Sequence, residues 1–113
     1  MLKHKKLPPY GKKLKELLAQ GKKPRNSIFL FLGINAWQSA KAFSHIQQVL
    51  VLPPDESPYS FDWPVKECSV LAFDKGGLAP DDIEQTAHAL LLAGAASVHV
   101  ILFNYRLVVY RRD

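Results

Sequence analysis

Three short apolar runs, Ile28–Leu32, Val49–Leu52 and Val70–Phe73, set the pattern of this chain. None of them alternates with polar residues. An unbroken apolar run of strand length is how a strand reads when both its faces are covered, as in a parallel sheet. Val98–Phe103 predicts a fourth strand. Asn104-Tyr105 then predicts a tight turn into a fifth, Leu107–Tyr110, lying antiparallel at an edge and ending in Arg111-Arg112.

Helical spacing fills most of the gaps between these runs. Asn35-Ala36-Trp37-Gln38 predicts a helix start, with Asn35 as N-cap, Gln38 at the capping-box position, and Ala36, Ala40 and Phe43 facing inward. Pro80 predicts a second start, followed by Asp81, Asp82 and Glu84 where the helix dipole favours acids. Ile83, Ala87, Leu90, Leu91 and Gly94 line one side of that helix. The loop from Pro53 to Glu67 carries no helical pattern, and one short turn is expected around Ser57–Phe61.

Strands alternating with helices imply a small three-layer, Rossmann-like α/β sandwich. Its sheet is expected to be mostly parallel, with about five strands in the order 2-1-3-4-5 and an antiparallel C-terminal edge strand. A domain of this size buries roughly two thirds of its unfolded surface, so residues 26–113 make a sufficient core without staples.

The first 25 residues read differently. Met1 to Pro8 is expected to be mobile. After Pro8-Pro9, the positions Tyr10, Leu14, Leu17 and Leu18 form one face of an amphipathic helix, with Gly21 as its stop and Gly21–Pro24 as a turn.

Charge sharpens this division. Residues 1–25 hold eight lysines and Arg25 against Glu16, a net +8, whereas residues 26–113 hold six basic and nine acidic residues, a net −3. The chain's +5 therefore belongs wholly to the N-terminal arm. Lys3, Lys5, Lys6, Lys12, Lys13, Lys15, Lys22, Lys23 and Arg25 are accordingly the candidate anion-binding residues. Nucleic acid is the first partner such an arm suggests, with an acidic protein or lipid surface next. The competing reading is a solvated tail that keeps the protein soluble. Lys12 and Lys13 favour a binding role, because they sit in a first helical turn where the dipole opposes them.

Candidate chemistry is sparse. Ligands of open α/β sheets gather beyond the carboxyl ends of the strands, which here carry Gly33, Asn35, Asp74, Lys75 and Gly76. These five residues are the candidate site for a nucleotide or phosphorylated metabolite, the reading in which the protein is a small enzyme or sensor. The dinucleotide fingerprint fails after Gly33, since its later glycines would fall at Asn35 and Gln38. No nicotinamide or flavin cofactor is therefore expected.

Asp55, Glu56 and Asp74 read as turn residues rather than a magnesium site. His4, His45, His88 and His99 show no ligand spacing, and Cys68 has no partner, so no metal is expected. No serine stands in a nucleophile-elbow pattern. Tyr59, Phe61 and Trp63 give the loop 53–67 an aromatic character, read as packing or, in a third view of the protein, as an interaction surface.

A lone cysteine fits a reducing compartment, and the cytoplasm is the expected location. The basic start and the run from Ile28 to Ile34 mimic a secretory leader. The basic region is too long for one and Gly33 and Asn35 interrupt the run, so none is expected. The leading expectation is a non-enzymatic binding protein whose basic arm engages nucleic acid or an acidic partner.

Overall fold

The computed structural model of the chain describes residues 2–9, 27–43 and 49–112. Six strands form one sheet: β1 (Leu2–Pro9), β2 (Ser27–Leu32), β3 (Val49–Leu52), β4 (Ser69–Asp74), β5 (Ser97–Ile101) and β6 (Arg106–Arg112). Among the described residues two helices, α1 (Ala36–Phe43) and α2 (Pro80–Leu92), accompany them. The spatial order is β1-β6-β5-β4-β2-β3. Strands β3, β2, β4 and β5 are parallel, and β6 runs antiparallel beside β5. The five strands expected from the apolar runs thus take the order 2-1-3-4-5, ending in the antiparallel C-terminal strand.

The unbroken apolar runs have the predicted cause. In β2, Ile28, Leu30 and Leu32 join one core, while Phe29 and Phe31 join another on the opposite face. The first core takes Ile83, Ala87, Leu90 and Leu91 from α2, together with Trp63 and Val65 from the long loop. The second takes Ala36 and Ala40 from α1, and Phe31 stacks on Phe73 with ring centroids 4.9 Å apart. Leu30 and Leu90 are wholly buried, a contribution of about 1.5–3 kcal/mol each. The side chain of Phe43 lies outside the described residues.

The loop between β3 and β4 replaces a crossover helix with side-chain anchors. Pro58–Ser60 forms a single 3-10 turn, started by Ser57, whose hydroxyl accepts the Tyr59 N–H at 3.2 Å. Trp63 then reaches the core, and its indole N–H donates to the Pro58 carbonyl at 2.7 Å. A buried indole needs that acceptor, and the turn supplies it.

Gly94 is not on the packed side of α2, as its spacing suggests, but just past the helix end. With φ at +106°, its N–H donates to the Leu91 carbonyl and the next N–H, of Ala95, to that of Leu90, each at 3.0 Å. This left-handed stop satisfies two orphan carbonyls, which a residue with a Cβ does only under strain.

The start of the chain departs from expectation. Leu2–Pro9 is a strand, paired antiparallel with β6 in the register Leu2↔Arg112 through Leu7↔Leu107. The reason is accounting of backbone groups. On its outer side β6 would otherwise expose a row of unpaired N–H and C=O groups, and the N-terminal segment satisfies them. The amphipathic helix expected over Tyr10–Leu18 and the turn at Gly21 fall outside the described residues. So do Lys12, Lys13, Lys15, Lys22, Lys23 and Arg25.

Candidate functional site

The parallel strands end together, and the loops that follow β2 and β4 are stitched to each other. Lys75 N–H donates to the Leu32 carbonyl at 2.8 Å and Ile34 N–H to the Gly76 carbonyl at 3.1 Å. The Asn35 side-chain amide reaches the Lys75 carbonyl at a long 3.4 Å, so the predicted cap residue also bridges the loops. Gly33, Asn35, Asp74, Lys75 and Gly76, the five candidate ligand residues, therefore meet in one place.

Their chemistry there is largely committed to the fold. One carboxylate oxygen of Asp74 accepts the Gly76 N–H at 2.9 Å. Ala36 N–H, in the first turn of α1, donates to the Gly33 carbonyl at 3.2 Å. Gly33 has φ +95°, and a Cβ there would overlap the carbonyl oxygen of Gly76. The glycine that resembles the start of a phosphate loop is required by this close approach of two backbones.

Around this junction lies a rim of exposed apolar side chains that the sequence reading did not single out. Ile34, Trp37, Phe103 and Tyr105 are 67%, 60%, 68% and 67% exposed. The Ile34 side chain lies over Gly77, and the Phe103 ring lies beside Gly76. Trp37 stands in the first turn of α1, at the same end of the sheet. Phe103 was expected inside a strand. β5 instead ends at Ile101, and Phe103 occupies the hairpin turn to β6.

That turn has three residues between its closing pair. Tyr105 N–H donates to the Leu102 carbonyl at 2.8 Å, and the Asn104 side chain accepts the Arg106 N–H at 3.1 Å. Such a loop places its last residue in the left-handed region, the position glycine favours. Here Tyr105 fills it, at φ 64°, which costs an L-residue of order 1–2 kcal/mol.

The aromatic loop 53–67 is engaged within the fold. Besides the buried Trp63, the Tyr59 hydroxyl is bonded to His88 Nδ1 on α2 at 2.9 Å, and Phe61 packs on Trp63 with centroids 5.0 Å apart. Cys68 is half-buried, its thiol 3.5 Å from the Lys66 carbonyl. Among the described residues no three His, Cys, Asp or Glu side chains are grouped to hold a metal, and no helix is long and apolar enough to cross a membrane.

The register of β1 on β6 gathers positive charge at one margin of the sheet. Lys3 stands opposite Arg111, Lys5 opposite Val109, Lys6 opposite Val108 and Pro9 opposite Arg106. The two strands carry Lys3, Lys5, Lys6, Arg106, Arg111 and Arg112 and no acid. Arg112 is partly spent, since its guanidinium donates to the Leu91 carbonyl at 2.9 Å, at the end of α2 where the dipole is negative. Burial, assisted by the carboxylate of Glu84, pushes the Tyr110 hydroxyl above its ordinary pKa of 10.0, so the ring is a neutral phenol at physiological pH.

Fold and margin together define a class: a small α/β protein whose basic end residues share two neighbouring strands. Neither a protein-family model, nor a curated protein, nor a solved structure matches the chain.

Proposed function

We propose that this protein is a non-enzymatic, cytoplasmic nucleic-acid-binding protein that grips phosphates with its basic N-terminal segment. The observation that supports this is the register of β1 on β6, which sets Lys3 opposite Arg111 and ends the lysine-bearing strand at Pro9, opposite Arg106, with no acid in either strand. Lysines on an outermost strand also discourage edge-to-edge pairing of two sheets. That role alone does not call for arginines at both ends of the neighbouring strand. Lys12, Lys13, Lys15, Lys22, Lys23 and Arg25 continue the same charge along the sequence.

Phosphate contacts release counterions, so affinity for an oligonucleotide falls steeply with added salt. Replacing Lys3, Lys5 and Lys6 with glutamine lowers the slope of log K against log salt by about two to three. The measurement is fluorescence anisotropy at several salt concentrations. Salt-independent binding, no binding at low salt, or a triple variant with the parent's slope defeats the reading. If the triple variant instead aggregates while keeping its affinity, the lysines serve the edge. Tight binding to an acidic polypeptide with none to nucleic acid moves the assignment to a protein partner.

A further inference from the structure

Trp37, Phe103 and Tyr105 share the end of the sheet where the parallel strands finish, and all three rings are turned to water. Among the described residues, none of the three has a ring partner or a side-chain hydrogen bond, unlike Tyr59 and Trp63. Phe103 and Ile34 flank the same glycine pair, Gly76 and Gly77, so the two loops present one continuous surface. Charge there suits phosphate: the segments 33–37, 74–77 and 102–106 contain Lys75 and Arg106 against Asp74, which already accepts the Gly76 N–H. The other acids of that end lie apart from these loops: Asp55 and Glu56 follow β3, at the edge of the sheet away from the β5–β6 hairpin, and Asp81 and Asp82 open α2, which packs on the sheet face opposite α1 and Trp37. Arg106 pairs with Pro9, the last residue of the basic strand, and Lys12 and Lys13 follow Pro9 by three and four residues.

The second observation is the backbone of Tyr105. A glycine would relieve the left-handed position and would stabilise the hairpin, yet the chain holds an exposed aromatic there. Strain that brings the fold no packing in return points to a use for the ring itself.

We propose that Trp37, Phe103 and Tyr105 form a stacking rim for unpaired bases, so that the nucleic acid this protein takes is single-stranded. The inference rests on the nucleic-acid reading of the basic segment and specifies its substrate. Every base has a π-face, so rings beside a cationic strip bind single strands with little regard to sequence. A duplex keeps its bases stacked and offers these rings nothing beyond phosphate contacts.

The test compares a labelled single strand with the same sequence as a duplex, at one low salt concentration, on the full chain. The single strand is expected to bind at least tenfold more tightly. Trp37→Ala and Tyr105→Gly each weaken single-strand binding roughly tenfold and leave duplex binding unchanged, whereas Trp37→Phe keeps most of it. Tyr105→Gly also melts at a higher temperature than the parent, which excludes lost folding as the cause. Single-strand binding quenches the emission of exposed Trp37, while buried Trp63 keeps its emission. Equal affinity for both forms, lysine-dependent but indifferent to Trp37→Ala and Tyr105→Gly, overturns this inference and leaves the proposed function standing. No binding of either form at low salt overturns both.

Discussion

Two of the aromatic groups among the described residues, one in the loop before β4 and one at the carboxyl ends of the strands, are placed in opposite ways. In the loop between β3 and β4, Trp63 is 7% exposed, its N–H is bonded, Phe61 leans on it, and Tyr59 reaches across to His88. On the carboxyl-end rim, Trp37, Phe103 and Tyr105 are all at least 60% exposed and free of such partners among the described residues. The loop needs its rings because it crosses the sheet without a helix, so a few large side chains must supply the apolar burial a helix would bring. The rim needs none for packing. Its loops are held by backbone bonds between Leu32, Ile34, Lys75 and Gly76. Aromatic residues that a fold does not require are the ones free to serve a partner.

Five substitutions, the last of them followed against pH, probe that contrast and the burial around it. The largest effect is expected for Trp63→Ala, which empties a core position and orphans the Pro58 carbonyl, at a cost of about 3–5 kcal/mol. Trp37→Ala changes stability by less than about 0.5 kcal/mol, as surface substitutions do. Urea unfolding of the two variants side by side measures this, and equal losses would erase the distinction between the two groups.

Gly33→Ala probes the backbone stitching that frees the rim from packing duty. A methyl group there overlaps the Gly76 carbonyl oxygen on top of an unfavourable φ, so a loss above about 1–2 kcal/mol is expected. A thermal melt within a degree of the parent would show that the junction yields easily. Tyr59→Phe removes the bond to His88 and keeps the ring. At a half-exposed site this costs about 0.5–1 kcal/mol, and no measurable loss would place Tyr59 with the rim rings instead.

The smallest effect concerns pH. The pKa of Tyr110 is raised in the folded chain, so the unfolded chain loses that proton first as the solution becomes alkaline. The contribution of this group to stability is complete below about pH 10 and declines as pH rises past it. Tyr110→Phe flattens the decline. A parent and variant that lose stability in parallel above that pH would remove Tyr110 from the account.

Periodicity and turn chemistry reached far into the fold. The apolar runs placed the parallel strands, Asn35 and Pro80 placed the helix starts, and Ser57 marked the turn inside the long loop. Each of these signals is local, and a short unbroken apolar run bounded by turn residues is how a strand covered on both faces reads. Gly33, Asn35, Asp74, Lys75 and Gly76 lie together because parallel strands must end on one side. The hydrogen bonds that occupy their polar groups depend on how two loops meet, and no spacing along the chain reports that.

The sequence by itself determined the described strands and helices from Ser27 onward and the uneven charge of the two segments, whereas the order of the strands across the sheet is fixed by their pairing in the fold. Tertiary structure alone decided three further matters. Leu2–Pro9 pairs with β6 because an open sheet edge offers hydrogen bonds to whatever segment reaches it, and that affinity leaves little trace in a short lysine-rich stretch. Phe103 is exposed because β5 stops two residues before it, where the hairpin closes through Leu102 and Arg106. The division between structural and unspent rings arises last. Burial is a property of what arrives opposite a side chain, and a tryptophan at position 37 and another at position 63 carry the same letter.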